Sequence, residues 1–189
     1  MKILVLVPIL VAAALAATQQ GRPDPATMIA AQKEAMKKLS AFDGVWRGEA
    51  WTLLPNGSKE TLTQTERVGP FLDGAIRVVE GRGYDKEGKV VFNAFATMAY
   101  NPNSKAFGLH SYAMGNEGQF VLTPTADGYV WEIPAGPMTI RYTTTLAAGT
   151  WTEVGDRIMP GQEPIRIFEM KLKRIGSTDW PSAGAIPMK

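Results

Sequence analysis

The chain contains no cysteine. Disulfides, thiolate metal sites, thiol nucleophiles and lipid attachment through an N-terminal Cys are excluded together. Histidine is nearly missing as well. His110 is the only one, so a zinc centre built from two or three His cannot form within one chain, and a Ser-His-Asp triad could draw on that residue alone. Neither sign of charge is in excess: the formal net charge is +2, with 20% charged residues. That balance excludes an obligate nucleic-acid binder, whose affinity would come from many phosphate contacts. No Lys/Arg run marks a membrane-surface patch. No Gly-x-Ser-x-Gly elbow is present. Gly81-Arg82-Gly83 precedes a turn and not a helix, so it is no phosphate loop. Glu80, Glu132, Glu153, Asp156 and Glu169 show no spacing that pairs two of them for acid–base work.

What is present begins with a targeting pattern. Lys2 precedes an apolar run from Ile3 to Ala13, and Ala14-Leu15-Ala16 places small residues where a signal peptidase reads them. The run is short of the about 20 residues a membrane span needs, and no later stretch reaches that length. Residues 1–16 therefore read as a cleaved signal peptide, which implies a periplasmic or secreted bacterial protein with no membrane span after cleavage. Residues 17–23 follow as a flexible leader. Asp24-Pro25 then opens a helix, with Asp as cap and Pro at the first helical position. It occupies 24–40, with Met28, Ala31, Ala35, Met36 and Leu39 at helical spacing.

From Val45 the hydrophobic period changes to two, and turn signals recur every 10 to 15 residues. Ten strands are predicted: 45–54, 60–68, 75–84, 90–100, 106–114, 119–123, 129–133, 138–146, 150–158 and 165–175. Ten strands joined by short links form a meander. Closing it removes both exposed edges. The expected fold is all-β, a closed antiparallel up-and-down barrel over 41–175 preceded by the helix, with a loose tail over 176–189. A barrel this wide has more interior than short side chains fill, so it tends to hold a ligand. The inward face of the strand 60–68 is left open, because both its faces are polar.

The segment Phe42-Asp43-Gly44-Val45-Trp46-Arg47-Gly48 resembles the opening of calycin-superfamily barrels. Lipocalins begin with Gly-x-Trp, and nitrobindin-like and related secreted bacterial lipocalin-like domains of unknown function with Gly-x-Trp-x-Gly. The resemblance implies that Gly44, Trp46 and Gly48 close the barrel, with Arg174 stacked on the Trp. In fatty-acid-binding proteins, an Arg-x-Tyr pair on the last strand holds the ligand carboxylate. Arg166-Ile167-Phe168 keeps the Arg and replaces the Tyr.

The candidate ligand-binding residues are Arg166, Arg82, Tyr84, His110, Tyr112, Tyr142 and Phe168. Arg166 shares a face with Phe168, Met170 and Leu172, which reads as an anion anchor or a structural ion pair. Arg82 and Tyr84 share a face with Ile76, Val78 and Glu80; Tyr142 shares one with Met138, Ile140 and Leu146. His110 is in phase with Tyr112. The leading expectation is a non-enzymatic barrel that binds a small, largely apolar or amphipathic molecule, without metal or cofactor. The alternatives are a barrel enzyme of isomerase, cyclase or hydrolase type using His110 or Glu80, a haem binder using His110, and a structural envelope protein. Expression with export to a bacterial periplasm should yield a chain beginning at Ala17. Intact mass checks this, and an unprocessed mass would remove the signal-peptide reading.

Overall fold

The computed structural model describes residues 24–180. The expected signal peptide (1–16), the expected leader (17–23) and the residues beyond Trp180 lie outside the described residues. Helix α1 (Pro25–Met36) is capped by Asp24, whose carboxylate accepts from the Thr27 amide at 3.1 Å. The predicted single helix tightens into a 3-10 segment at Lys37–Phe42. That turn rotates Leu39 and Phe42 onto the side of Met36, and all three are buried.

Ten antiparallel strands follow: β1 (Gly44–Leu53), β2 (Lys59–Phe71), β3 (Ile76–Tyr84), β4 (Val90–Asn101), β5 (Ala106–Ala113), β6 (Asn116–Pro124), β7 (Gly128–Ala135), β8 (Met138–Ala147), β9 (Thr150–Ile158) and β10 (Ile165–Gly176). Each pairs with its sequence neighbour, and β1 pairs with β10, so the sheet closes. Two tight hairpins, at Met114-Gly115 and Ala148-Gly149, have both turn residues at positive φ, the conformation whose twist matches that of the flanking strands. Among the described residues no helix is long and apolar enough to cross a membrane.

Paired residues project to the same side of a sheet, and side chains alternate along each strand. Sealed Trp46, Ala50, Met170 and Leu172 therefore identify the inner face. The register carries that assignment from strand to strand.

The helix end of the barrel is closed. Trp46 is fully buried and donates from Nε1 to the Phe42 carbonyl at 2.8 Å. Trp151 meets Trp46 edge-on at 5.6 Å and Phe42 at 5.1 Å. The Arg174 guanidinium lies 4.5 Å from the Trp46 ring. It also donates to the carbonyls of Asp43 and Ala41, the latter at 2.5 Å, so it ties the last strand to the segment entering the first. Beside it, Arg77 Nε lies 2.8 Å from Asp43 Oδ1. That contact is off hydrogen-bonding alignment, so it acts through charge. Desolvation pushes the Asp43 carboxyl above its ordinary value, and the Arg77 and Arg174 charges partly offset this.

Two glycines permit this closure. Gly44 adopts φ +147, and a Cβ on Gly48 would lie 2.0 Å from the Lys171 carbonyl oxygen. The segment after β10, expected to be loose, packs back as far as Trp180. Its ring meets Phe71 at 5.9 Å and Arg67 at 4.7 Å, and Asp179 pairs with Arg67. We expect Gly48→Ala to force β1 off β10 and cost several kcal/mol, on the order of a large core defect. Arg47→Ala, one residue away on the exposed face, should stay within about 0.5 kcal/mol. Urea denaturation of both variants checks the contrast, and equal midpoints would refute it.

Candidate functional site

The interior changes character towards the opposite end, where five hairpins form the mouth. Phe92, Phe120, Trp131, Tyr142 and Phe168 occupy inward positions on β4, β6, β7, β8 and β10, yet each keeps part of its surface exposed. Trp131 and Tyr142 stack at 4.3 Å with an interplanar angle of 10°. Phe120 leans on Trp131 at 5.3 Å, and Phe168 on Tyr142 at 5.9 Å. Gly155 makes room for this wall: a Cβ there would meet Tyr142 at 2.9 Å and Phe168 at 3.0 Å.

Below the aromatic wall lies a polar layer. Glu66 projects inward from β2, opposite Trp46 on one side and Gly81 on the other. It is 8% exposed. Its Oε1 accepts from Gln64 Nε2 at 2.7 Å. Both of its carboxyl oxygens lie over Gly81, where a Cβ would come within 2.6 and 2.8 Å of them. Glu153 projects inward from β9. It accepts from the Thr144 hydroxyl at 2.5 Å, and the nearby Trp131 side chain favours its charged form. Tyr129 is opposite Thr144 across the β7–β8 pairing, so Tyr129, Thr144, Glu153 and Trp131 line the same part of the interior.

Neither Glu66 nor Glu153 has an ion-pair partner among the described residues. Burial is the largest influence on Glu66 and pushes its carboxyl up to about 8. The Gln64 bond pulls down, and the charges of Glu153 and Glu80 push up further. Burial likewise raises Glu153, against the Thr144 bond and the nearby Trp131 side chain. Tyr142 is pushed up to about 12, by burial first and the Glu153 charge second.

Tyr142 and Phe168 are therefore on the inner wall, and Trp46 and Arg174 meet at the closed end. Five expected ligand contacts fall outside. Arg166 faces outward because a bulge at Ile167 interrupts the alternation: Arg166 pairs with Asp156, and Phe168 with Gly155. Its Nε bonds Asp156 Oδ1 at 2.6 Å, which is the structural ion pair and not the cavity anchor. Arg82 and Tyr84 are on the outer face of β3, where Arg82 pairs with Glu80 at 2.5 Å. The inner positions beside them are Gly81 and Gly83, which carry no side chain to signal them. His110 and Tyr112 are also outside. His110 bonds Glu117 at 3.0 Å and stacks on Tyr112 at 4.7 Å, so a haem inside the barrel could not use it. Glu80 is outside too, which leaves the His110 and Glu80 versions of a barrel enzyme without an interior group.

The residues that sequence reasoning missed are Gln64, Glu66, Glu153, Thr144, Trp131 and Phe120. A signal existed. Glycines inside a strand mark places where another group approaches closely, and Gly81, Gly83 and Gly155 lie under Glu66, Gln64 and Tyr142 respectively.

Two recesses open to solvent. The larger, about 570 Å³, lies on the rim between Asn93, Phe95, Tyr112 and Met114 and contains none of the interior polar groups. The other, about 450 Å³, follows the seam between β6 and β7. These strands pair only through Leu122–Trp131, Thr123–Val130 and Pro124–Tyr129 and diverge towards the mouth. The inward residues Phe120 and Trp131 therefore share the seam's lining with the outward Val121 and Glu132. No protein-family model matches the chain, and no curated protein matches it.

The Glu66 pKa is higher folded than unfolded, so its contribution to stability is full below about 4.5 and is lost as pH rises through about 8. Glu153 acts in the same direction. Unfolding free energy should be larger at pH 5 than at pH 9 by a few kcal/mol, on the order of one to several pKa units. Glu66→Gln should flatten most of that slope. Urea titrations at the two pH values check it; a wild-type stability that rises with pH would contradict it.

Proposed function

We propose that this protein is a lipocalin-like, non-enzymatic binding barrel for a small, largely apolar molecule. The observation that carries the reading is the division of its interior. At the helix end the inward side chains are sealed against one another. At the mouth end five inward aromatic side chains keep exposed surface, with a polar layer beneath them. Ligand sites combine a mostly apolar wall with a few polar groups that fix orientation, and this arrangement has both. The ligand body would lie against Trp131, Tyr142, Phe120 and Phe168, and its polar end would meet Glu66, Gln64, Glu153 and Thr144. The diverging β6–β7 seam offers a side route through Phe120 and Trp131.

The Arg174–Trp46 stack and the Gly44-x-Trp46-x-Gly48 opening support the lipocalin-like part of the reading, since these residues occupy the closing positions that such barrels use. The N-terminal apolar run supports export to the periplasm or beyond, where a carrier of poorly soluble molecules would act.

Titration with the neutral, environment-sensitive dye Nile red tests the reading. Saturable binding with a blue shift is expected. Trp131→Ala should weaken it about tenfold, in keeping with the loss of a stacked aromatic contact of roughly 1 kcal/mol together with buried area. Glu49→Ala, on the outer face of β1, should leave it unchanged. If the folded protein gives no saturable dye binding, the proposal fails.

A further inference from the structure

We infer that the ligand carries a cationic nitrogen, a protonated amine on an aromatic or otherwise apolar body, and that Glu66 and Glu153 together form its seat. The inference rests on the binding reading above and specifies its substrate class.

Three features of the interior point to a cation. First, Glu66 and Glu153 project into the barrel without an ion-pair partner among the described residues, and the inward arginines are placed elsewhere. Arg77 is paired with Asp43 at the closed end. Arg174 is stacked on Trp46 and bonded to two carbonyls. Arg157 is four residues beyond Glu153 towards the mouth, about 13 Å along an extended strand. Second, Glu66 is more than nine-tenths buried, yet only its Oε1 receives a hydrogen bond, from Gln64. Its Oε2 accepts none among the described residues. That oxygen is not one of the fully buried polar atoms left without a partner, so it stays open to the interior space, and an ammonium group, with three donors and no acceptor, complements it. Third, the wall above the carboxyls is aromatic. The faces of Trp131, Tyr142 and Phe168 attract cations as well as apolar surface. A carboxylate ligand would meet two acids and no inner-wall cation at that depth.

Proton bookkeeping follows. Without ligand, Glu66 holds a proton near neutrality. When an ammonium ion binds, that proton leaves to solvent and the carboxylate pairs with the cation, so charge is conserved: one proton out for one cation in. The other titratable groups facing this layer are Glu153, Tyr129 and Tyr142. Glu80 acts on it through the wall from outside, and Arg157 faces the mouth above it. The tyrosines remain protonated throughout the relevant range. Affinity for the amine should therefore rise with pH between about 6 and 8.

The test compares three probes of one shape by isothermal titration calorimetry: 1-naphthylmethylamine, 1-naphthalenemethanol and 1-naphthoate. At pH 7, the amine should bind the wild-type protein at least tenfold more tightly than the alcohol, and the carboxylate most weakly. Titrations in phosphate and in HEPES, which differ in ionisation enthalpy, should show release of nearly one proton with the amine and none with the alcohol. Glu66→Gln and Glu153→Gln should each remove the preference for the amine, lowering its affinity at least tenfold more than they lower the alcohol's. Circular dichroism of both variants establishes that they fold. Two results would overturn the inference while leaving the barrel a binding protein: Nile red binds but the amine has no advantage over the alcohol, or the advantage survives both substitutions. If neither Nile red nor any naphthyl probe binds, the binding reading itself falls, and this inference with it.

Discussion

Everything inside the barrel depends on the pairing of its first strand with its last. β1 and β10 are separated by the rest of the chain, and they meet because Gly48 lets the Lys171 backbone approach closely and because Arg174 reaches back over Trp46 to the carbonyls that precede β1. Trp46 belongs to both sides of this junction. It is opposite Arg174 in β10 and opposite Glu66 in β2. The ring that closes the barrel is thus also the apolar floor against which the Glu66 carboxyl is desolvated. Fold closure and the unusual state of that acid have one structural cause.

The interior polar layer is a poor way to stabilise a protein. A buried carboxyl without a counterion either keeps its proton or loses much of its hydration. An apolar pair of similar volume at Glu66 and Glu153 would pack with less penalty. The layer nevertheless has specific supports: Gln64 for one acid, Thr144 and Trp131 for the other, and a bare glycine under the first. The closed end supplies the compensating burial, where Met36, Leu39, Phe42, Trp46, Trp151 and Leu172 form an almost sealed cluster. Apolar burial is concentrated at the helix end, and the unpaired acids lie further up.

Much of the architecture was legible in the sequence. Ten runs of alternating residues, punctuated by Asn-Gly, Asp-Gly and Gly-Pro signals, gave the strand count and the closed antiparallel barrel, because turn chemistry is local and does not depend on distant contacts. The helix start at Asp24-Pro25 was legible for the same reason. The site was much less so, because the inner face is a global property. On the mouth half of β3 the larger side chains, Arg82 and Tyr84, face outward, while the inner positions, Gly81 and Gly83, are glycines that hydropathy cannot detect. On β10 one extra residue at Ile167 reverses the direction of Arg166 relative to Phe168. A single bulge was enough to turn an expected interior anchor into a surface ion pair.

Strand β2 shows why an inner face has to be read from pairs of strands. β2 is polar on both sides: Thr61, Thr63 and Thr65 on one, Gln64 and Glu66 on the other. Taken alone it offers no preference. Beside β3 the ambiguity resolves, because Gln64 and Glu66 are opposite Gly83 and Gly81. A long polar side chain and a glycine occupy adjacent inward positions in both cases, so their combined volume is what the wall can accommodate. Large side chains over glycines, repeated at Tyr142 and Gly155 on the adjacent strands β8 and β9, keep the inner groups flat against the sheet. The glycines are thus what let aromatic and acidic side chains share one inner wall.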